Sequence, residues 1–249
     1  MHVRIVIPVL PSDALVDKCR HEYERAAAPG VELSFVCLAH GTSTIESEYD
    51  LALAQPDTIR RCVEAEADGA DAAIIACFGD PGGLGAKEAT SIPIVGEGEA
   101  GLHVASLLGT RLSIITVRRQ TVPLMTAQAA RVGLAGKLAS VRPVDFGVMD
   151  FDLGAVPQVV EEAAAAVLED GADVIVMGCT GTGEDMVPLI ERGLAERLGA
   201  HVPVVDPVPA AIGLAELCAR HRYRPSKRAY PTADARPEYR WLGAETVAS

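Results

Sequence analysis

Two stretches decide the reading: Gly69–Gly82, GADAAIIACFGDPG, and Gly171–Gly183, GADVIVMGCTGTG. Each is a short, unbroken apolar run that ends on a cysteine and passes at once into a glycine turn. An unbroken apolar run of this length marks a strand buried on both faces, as parallel sheets require. The two stretches also align by subtraction. Gly69, Ala70, Asp71 and Cys77 recur as Gly171, Ala172, Asp173 and Cys179, each displaced by 102 positions. Further on, Ile92-Pro93 recurs as Val202-Pro203, displaced by 110, so the second copy carries a longer loop and helix. The chain therefore reads as one α/β unit written twice.

Working outward, strand and helix patterns alternate. The first copy predicts strands at VRIVIPV from Val3, VELSFVCL from Val31, DAAIIAC from Asp71 and IPIVG from Ile92. A helix is expected from Ser12 to Ala28, and another opening at Pro56-Asp57 and closed by Gly69. The second copy predicts strands at RLSIITV from Arg111, ASVRPVDF from Ala139, DVIVMGC from Asp173 and VPVVD from Val202. Helices are expected over QTVPLMTAQAARVG, ending near Gly133, and from about Ala155 to Asp170. Such alternation implies two small parallel four-stranded sheets covered by helices. Ligands of open α/β sheets bind beyond the carboxyl ends of the strands, and both cysteines lie there. If the halves face each other about a pseudo-two-fold axis, the two thiols meet one cleft from opposite sides.

Composition narrows the function. Apolar residues make up 49% of the 249 residues but aromatics only 4%, so Ala, Val, Ile and Leu build the core. The net charge of −12 sets aside nucleic acid and acidic membranes as partners. No apolar run is long enough to span a bilayer. Met1 leads into Arg4 and a strand pattern without an apolar signal core, and the cytoplasm is the expected compartment. The six cysteines are widely spaced, without CxxC pairs or clustered histidines, which favours free thiols over disulfides or a zinc site.

Free cysteine usually serves as a small buried hydrophobe. Cys19, Cys37, Cys62 and Cys218 fit helix or strand positions and are read as structural. Cys77 and Cys179 differ: they are equivalent in the repeat, and each precedes a glycine turn (Phe78-Gly79, Thr180-Gly181) that leads to a helix. Helix N-termini would lower the thiol pKa and offer a site for a carboxylate or enolate oxygen. One thiolate could then take a proton from one face of a carbon acid while the opposite thiol returns a proton to the other. The two thiols would titrate as a coupled pair.

Other signals are weaker. GDPGGLGAK fails the phosphate-loop spacing at Lys87, and GCTGTG is not a dinucleotide fingerprint. Thr42, Ser43 and Thr116 follow strand ends, and either bind a carboxylate or carbonyl or merely cap turns. His40 is a candidate acid or base, and His103 reads as a packing residue within a helix. Glu97 and Glu99 read as a solvated helix start. Arg220, Arg222, Arg224, Lys227 and Arg228 form a basic tail, read as an arm packed on the first half or on another subunit, or as a flap that draws in an anion.

The stretches His40–Asp57, Glu66–Gly82, Ile92–Gly109, Asp170–Gly181 and Arg224–Tyr230 resemble the aspartate/glutamate/hydantoin racemase superfamily, and most closely its hydantoin and allantoin racemase branch. The resemblance covers nearly the whole chain. It implies racemisation without a cofactor by two cysteines, here Cys77 and Cys179, on a small-molecule substrate bearing a carboxylate or carbonyl, in a homo-oligomer. It also implies two flavodoxin-like halves: residues 1–97 with a returning segment 207–249, and residues 98–206. The expected substrate-binding residues are Ser12, Thr42, Ser43, Phe78, Gly79, Thr116, Thr180 and Gly181. Two turns depart from the branch. Its Ile-Asn-Pro-Asn-Thr/Ser turn reads Ile7-Pro8-Val9-Leu10-Pro11-Ser12 here, and Thr180-Gly181-Thr182 follows the second cysteine in place of Ala-Gly-Met. Weaker recognition of a ureide edge is expected. Other readings are a maleate-type cis–trans isomerase using covalent cysteine addition, a one-cysteine decarboxylase, and a silent ligand-binding homologue.

Overall fold

The computed structural model of the chain describes residues 1–147, 153–180 and 183–232. Among these, eight strands form two wholly parallel sheets of four. The first contains β1 (His2–Ile7), β2 (Glu32–Cys37), β3 (Ala72–Ile75) and β4 (Ile94–Gly96), in the order β2-β1-β3-β4. The second contains β5 (Leu112–Thr116), β6 (Leu138–Pro143), β7 (Val174–Met177) and β8 (Val204–Val205), in the order β6-β5-β7-β8. The order is the same in both, a flavodoxin-like plan used twice. The helices are α1 (Asp13–Ala26), α2 (Glu48–Ala67), α3 (Gly83–Ala89), α4 (Glu97–Leu108), α5 (Val122–Arg131), α6 (Val156–Asp170), α7 (Gly183–Leu198) and α8 (Pro207–His221).

The repeated Gly-Ala-Asp has a physical cause in each half. Gly69 and Gly171 adopt φ of +80° and +73°, the left-handed conformation that ends a helix without a Cβ penalty. The aspartate two residues on ties down the start of the neighbouring strand. Asp71 Oδ2 accepts from the His2 N–H at 2.8 Å, and Asp173 Oδ1 accepts from the Arg111 N–H at 2.8 Å. Each aspartate N–H returns a bond to the carbonyl of that same residue, at 2.8 Å in both halves. The signature thus sets strand register rather than chemistry.

The two-residue period of the strands sorts their side chains. Ala72 and Ile74 of β3 and Val174 and Val176 of β7 enter one common core, whereas Ala73 and Ile75 face α2 and α3, and Ile175 and Met177 face α6 and α7. The common core is built around α4 and α8, which pack on each other between the sheets. Small residues allow the close approach: a Cβ at Gly101 would sit 3.4 Å from Pro207 and 3.5 Å from Val176. α8 lies against α1, β3 and β4.

One boundary differs from the sequence expectation. α2 begins at Glu48, not at Pro56, and runs through the proline. Ser47 Oγ accepts from the Asp50 N–H at 3.2 Å and donates to Asp50 Oδ2 at 2.8 Å, so the helix is capped a full two turns earlier than the proline. The basic tail docks on the first half. Lys227 Nζ donates to the carbonyls of Lys87, Glu88 and Thr90 at 3.0, 3.0 and 2.6 Å, at the C-terminal end of α3.

Candidate active site

In both halves the central strand makes its last ladder bond one residue before the cysteine. The Ala76 N–H donates to the Val6 carbonyl at 2.9 Å, and the Gly178 N–H to the Ile115 carbonyl at 2.7 Å. Gly178 is required by this approach, since a Cβ there would lie 2.7 Å from the Ile114 side chain. Cys77 and Cys179 are therefore the first residues released from their sheets. Both line one narrow cavity of about 80 Å³ between the halves.

Of the other residues expected to bind substrate, Ser43, Phe78, Gly79, Thr116 and Thr180 also line this cavity. Ser12 does not: it is exposed at the start of α1. Thr42 does not either. Its hydroxyl donates to the Thr44 carbonyl at 2.7 Å and its carbonyl accepts from Leu10 at 2.9 Å, so it shapes the loop and leaves Ser43, Thr44 and Ile45 on the wall. Gly181 lies outside the described residues, as does Thr182. The wall also holds Pro8 and Val9 of the turn that departs from the branch, together with residues not expected there from sequence: Cys19, Thr121, Leu124 and Met125. Cys19, read as a structural thiol, thus shares the cavity with the pair, while Cys62 is buried against the outer face of the first sheet.

The turn after β1 offers the cavity no backbone donor from its first three residues. Pro8 has no N–H. The Val9 N–H is spent on the Ile7 carbonyl at 2.8 Å, and the Leu10 N–H on the Thr42 carbonyl at 2.9 Å. Among the hydroxyls that line the cavity, those of Thr116 and Thr121 lie 2.6 Å apart. Thr121 donates to the Arg118 carbonyl at 2.7 Å, so Thr116 must donate to Thr121, and its oxygen stays available as an acceptor.

Two buried carboxyls frame the thiols. Asp80, at φ +47°, closes the tight turn after Cys77 and accepts from the N–H groups of Gly98 and Glu99 at 2.9 and 2.7 Å, capping α4 from across the turn. Gln128 also donates to it, joining the turn to α5. Glu97 is fully buried. It accepts from the Tyr23 hydroxyl at 2.6 Å and from the Thr180 hydroxyl at 2.5 Å. The expectation of a solvated helix start therefore fails for Glu97, because α4 begins beneath the second half rather than in water. Glu99 is half-buried and paired with Lys87 at 2.5 Å. The strongest sequence clue to Glu97 was its place directly after a strand, where α/β proteins put their sites.

Any lowering of the thiols by helix ends is outweighed: α3 starts at Gly83 and α7 at Gly183, several residues beyond the cysteines. Burial dominates instead. It raises Cys179 to about 12 and pushes Cys77 well above the ordinary thiol range, with the Glu97 carboxylate adding to both. For Cys77 the Gly79 N–H opposes the shift, and for Cys179 the Lys18 ammonium does. Burial likewise raises Asp80 to about 7 and Glu97 to about 8.

His103 is exposed on α4 rather than packed, and His40 is exposed near the buried Asp57, which accepts its N–H at 3.1 Å. Among the described residues, no three His, Cys, Asp or Glu side chains are grouped to hold a metal ion, and no helix is long and apolar enough to cross a membrane.

Comparison with known proteins converges on one family. Residues 6–215 match the family model described as Asp/Glu/Hydantoin racemase. A hydantoin racemase of Paenarthrobacter aurescens is 36% identical over 227 residues, which are 90% of this chain and 93% of the relative. The structure of an allantoin racemase from Pseudomonas fluorescens superposes with a TM-score of 0.84 at 30% identity, covering 95% of this chain and 98% of the other. That of an allantoin racemase from Klebsiella pneumoniae gives 0.83 at 29% identity, covering 95% of each chain.

Proposed function

The chain belongs to the Asp/Glu/hydantoin racemase family, and on that premise we propose that it is a two-cysteine racemase working without a cofactor. It inverts a carbon-acid centre beside a carbonyl, and a hydantoin with an apolar 5-substituent is the substrate class that fits best. The observation that carries this reading is the meeting of Cys77 and Cys179, equivalent residues of the two halves, in the wall of one cavity.

In the reaction one thiol first gives up its proton to solvent hydroxide, which becomes water. The thiolate then takes the proton of the stereocentre: an S–H bond forms, the C–H bond breaks, and its electron pair passes to the adjacent carbonyl as an enolate. The opposite thiol donates its proton to the other face, forming the new C–H bond and leaving a thiolate there. The product is the mirror image, and the site ends in the reverse protonation state. Because burial raises both thiols, the resting site is protonated, and the rate is expected to climb toward alkaline pH.

The substrate class follows from the wall. Pro8, Val9, Leu124 and Met125 supply apolar surface, and the turn from Pro8 to Leu10 has no free N–H to meet a ureide. A ureide edge left unbonded there loses about 1–3 kcal/mol per group. Thr116 and Ser43 remain to meet the ring's own polar groups. Homo-oligomerisation in the cytoplasm accompanies this reading as an expectation from sequence. Proton NMR in D₂O tests it. The α-proton signal of 5-benzyl- and 5-isobutylhydantoin should vanish faster than that of allantoin, with at least tenfold higher kcat/KM. Allantoin equal or better would mean that the Pro8–Leu10 turn does not set the preference, and no exchange with any of them would sink the racemase reading.

A further inference from the structure

The reaction above has no task for Glu97, although this carboxyl is fully buried and touches the turn that carries Cys179. A buried carboxyl is costly unless its oxygens are bonded, and an apolar side chain would fill the same space more easily. Both oxygens are used. Oε1 takes the Tyr23 hydroxyl of α1, in the first half, and Oε2 takes the Thr180 hydroxyl, in the second. Thr180 is held at its other end too, since Cys179 Sγ donates to its carbonyl at 3.1 Å. A chain of contacts thus runs from α1 through Glu97 to the second thiol.

We propose that Glu97 is a positioning residue: braced by Tyr23, it holds the Thr180 turn and so keeps the Cys179 thiol in place on the cleft. Its charge has a second consequence. Among the described residues, the groups that face it include Cys19, Glu22 and Tyr23 from α1, Asp206 at the start of α8, Cys77 beyond β3, and Cys179 beyond β7. An ionised Glu97 opposes thiolate formation at both cysteines, and the Lys18 ammonium eases it at Cys179.

This inference rests on the two-thiol reading for its kinetic arm only, and its main test needs no substrate. The alkylation of Cys179 by iodoacetamide is followed against pH by peptide mass spectrometry, with thermal melting to verify folding. Glu97→Gln keeps the brace, because the amide can accept from Tyr23 and donate to Thr180, but it removes the charge. Its Cys179 profile should coincide with the parent's below about pH 8, where Glu97 holds its proton, and should run ahead of it above, with the midpoint lower by roughly one unit. Glu97→Leu removes charge and brace together. Its Cys179 should react at least about tenfold faster than in Glu97→Gln at every pH, as the turn loosens. On a turned-over hydantoin, Glu97→Leu should lower kcat far more than it changes KM, and Glu97→Gln should restore most of the loss. Superimposable alkylation profiles for the two variants would overturn the positioning role. So would a wild-type profile in Glu97→Gln, which decides the matter alone if Glu97→Leu fails to fold. Distinct profiles without turnover of any substrate would uphold the role of Glu97 and remove the racemase reading instead.

Discussion

Cys77 and Cys179 owe their position to the last rungs of two ladders, at Ala76 and Gly178. Nothing else about the side chains distinguishes them from Cys62, which sits buried against the outer face of the first sheet. Position also decides what each thiol can reach. Replacing one by serine leaves a base on one face of the substrate only. Cys77→Ser and Cys179→Ser should each lower two-way racemisation by on the order of 10³-fold, the scale of a lost general acid or base. In D₂O each variant should still exchange the α-proton of one enantiomer, and the two variants should prefer opposite enantiomers. Near wild-type inversion by either variant, seen by polarimetry, would refute the two-base mechanism. The pair was legible in sequence because it recurs at an offset of 102. Cys19 and Thr121 were not, because each joins the cavity by way of a helix or turn folded back over the strand ends.

At the scale of elements, the junction between β4 and α4 is the tightest point near the site. A Cβ on Gly98 would lie 2.0 Å from the Phe78 carbonyl, and one on Gly96 would lie 2.1 Å from the Asp80 carboxyl. Glycine on either side of Glu97 leaves room for the Asp80 turn to cap α4. Gly98→Ala must push the turn that carries Cys77 aside, at a cost of about 1–3 kcal/mol. That corresponds to a fall in Tm of roughly 2–12 °C for a chain of this size. Gly213→Ala provides the contrast. It lies in α8 with nothing within 4 Å of the added Cβ, and it should hold or raise Tm by the helix preference for alanine. Scanning calorimetry of both variants checks the claim, and a Gly98→Ala protein as stable as the parent would contradict the observed packing. Element types followed from strand runs and glycine stops. The start of α2 did not, because Ser47 and its cap outweigh the helix-breaking signal of Pro56.

For the whole molecule, the balance of buried and paired carboxyls sets how stability follows pH. Burial raises Asp80 to about 7 and Glu97 to about 8, so the native state keeps protons that the unfolded chain releases near pH 4. Their contribution is complete below about pH 4 and is lost as pH rises through 7 to 8. Asp57, Asp170 and Asp173 act in the opposite sense. Asp57, despite its burial, is held low by Arg60 and by the N–H groups of His40 and Ala39. Asp170 is held low by Arg142, and Asp173, again against burial, by Thr110 and backbone N–H groups. Their contribution is lost as pH falls below about 4. Thermal melts at constant ionic strength should therefore show Tm falling from pH 5 to pH 8. The fall should be shallower in Glu97→Gln, which lacks one of the two raised groups. Equal slopes in the two proteins would show that Glu97 is not held protonated by the fold.

The sequence by itself determined what is local or repeated: parallel strands from unbroken apolar runs, two halves from the offset of 102, and the candidate thiols from their place after each central strand. It also carried the apolar character of the turn from Pro8 to Leu10. Tertiary structure decided what depends on contacts between distant segments. Glu97 reads as a surface acid until α4 is packed between two sheets, when Tyr23 from 74 residues away and Thr180 from 83 residues away become its partners. Thr42 reads as a ligand until the loop turns its hydroxyl onto Thr44. The thiols read as activated until their burial is known. The reason is the same in each case. Hydrogen-bond partners and desolvation are properties of the space around a group, and the sequence specifies that space only through the folded chain.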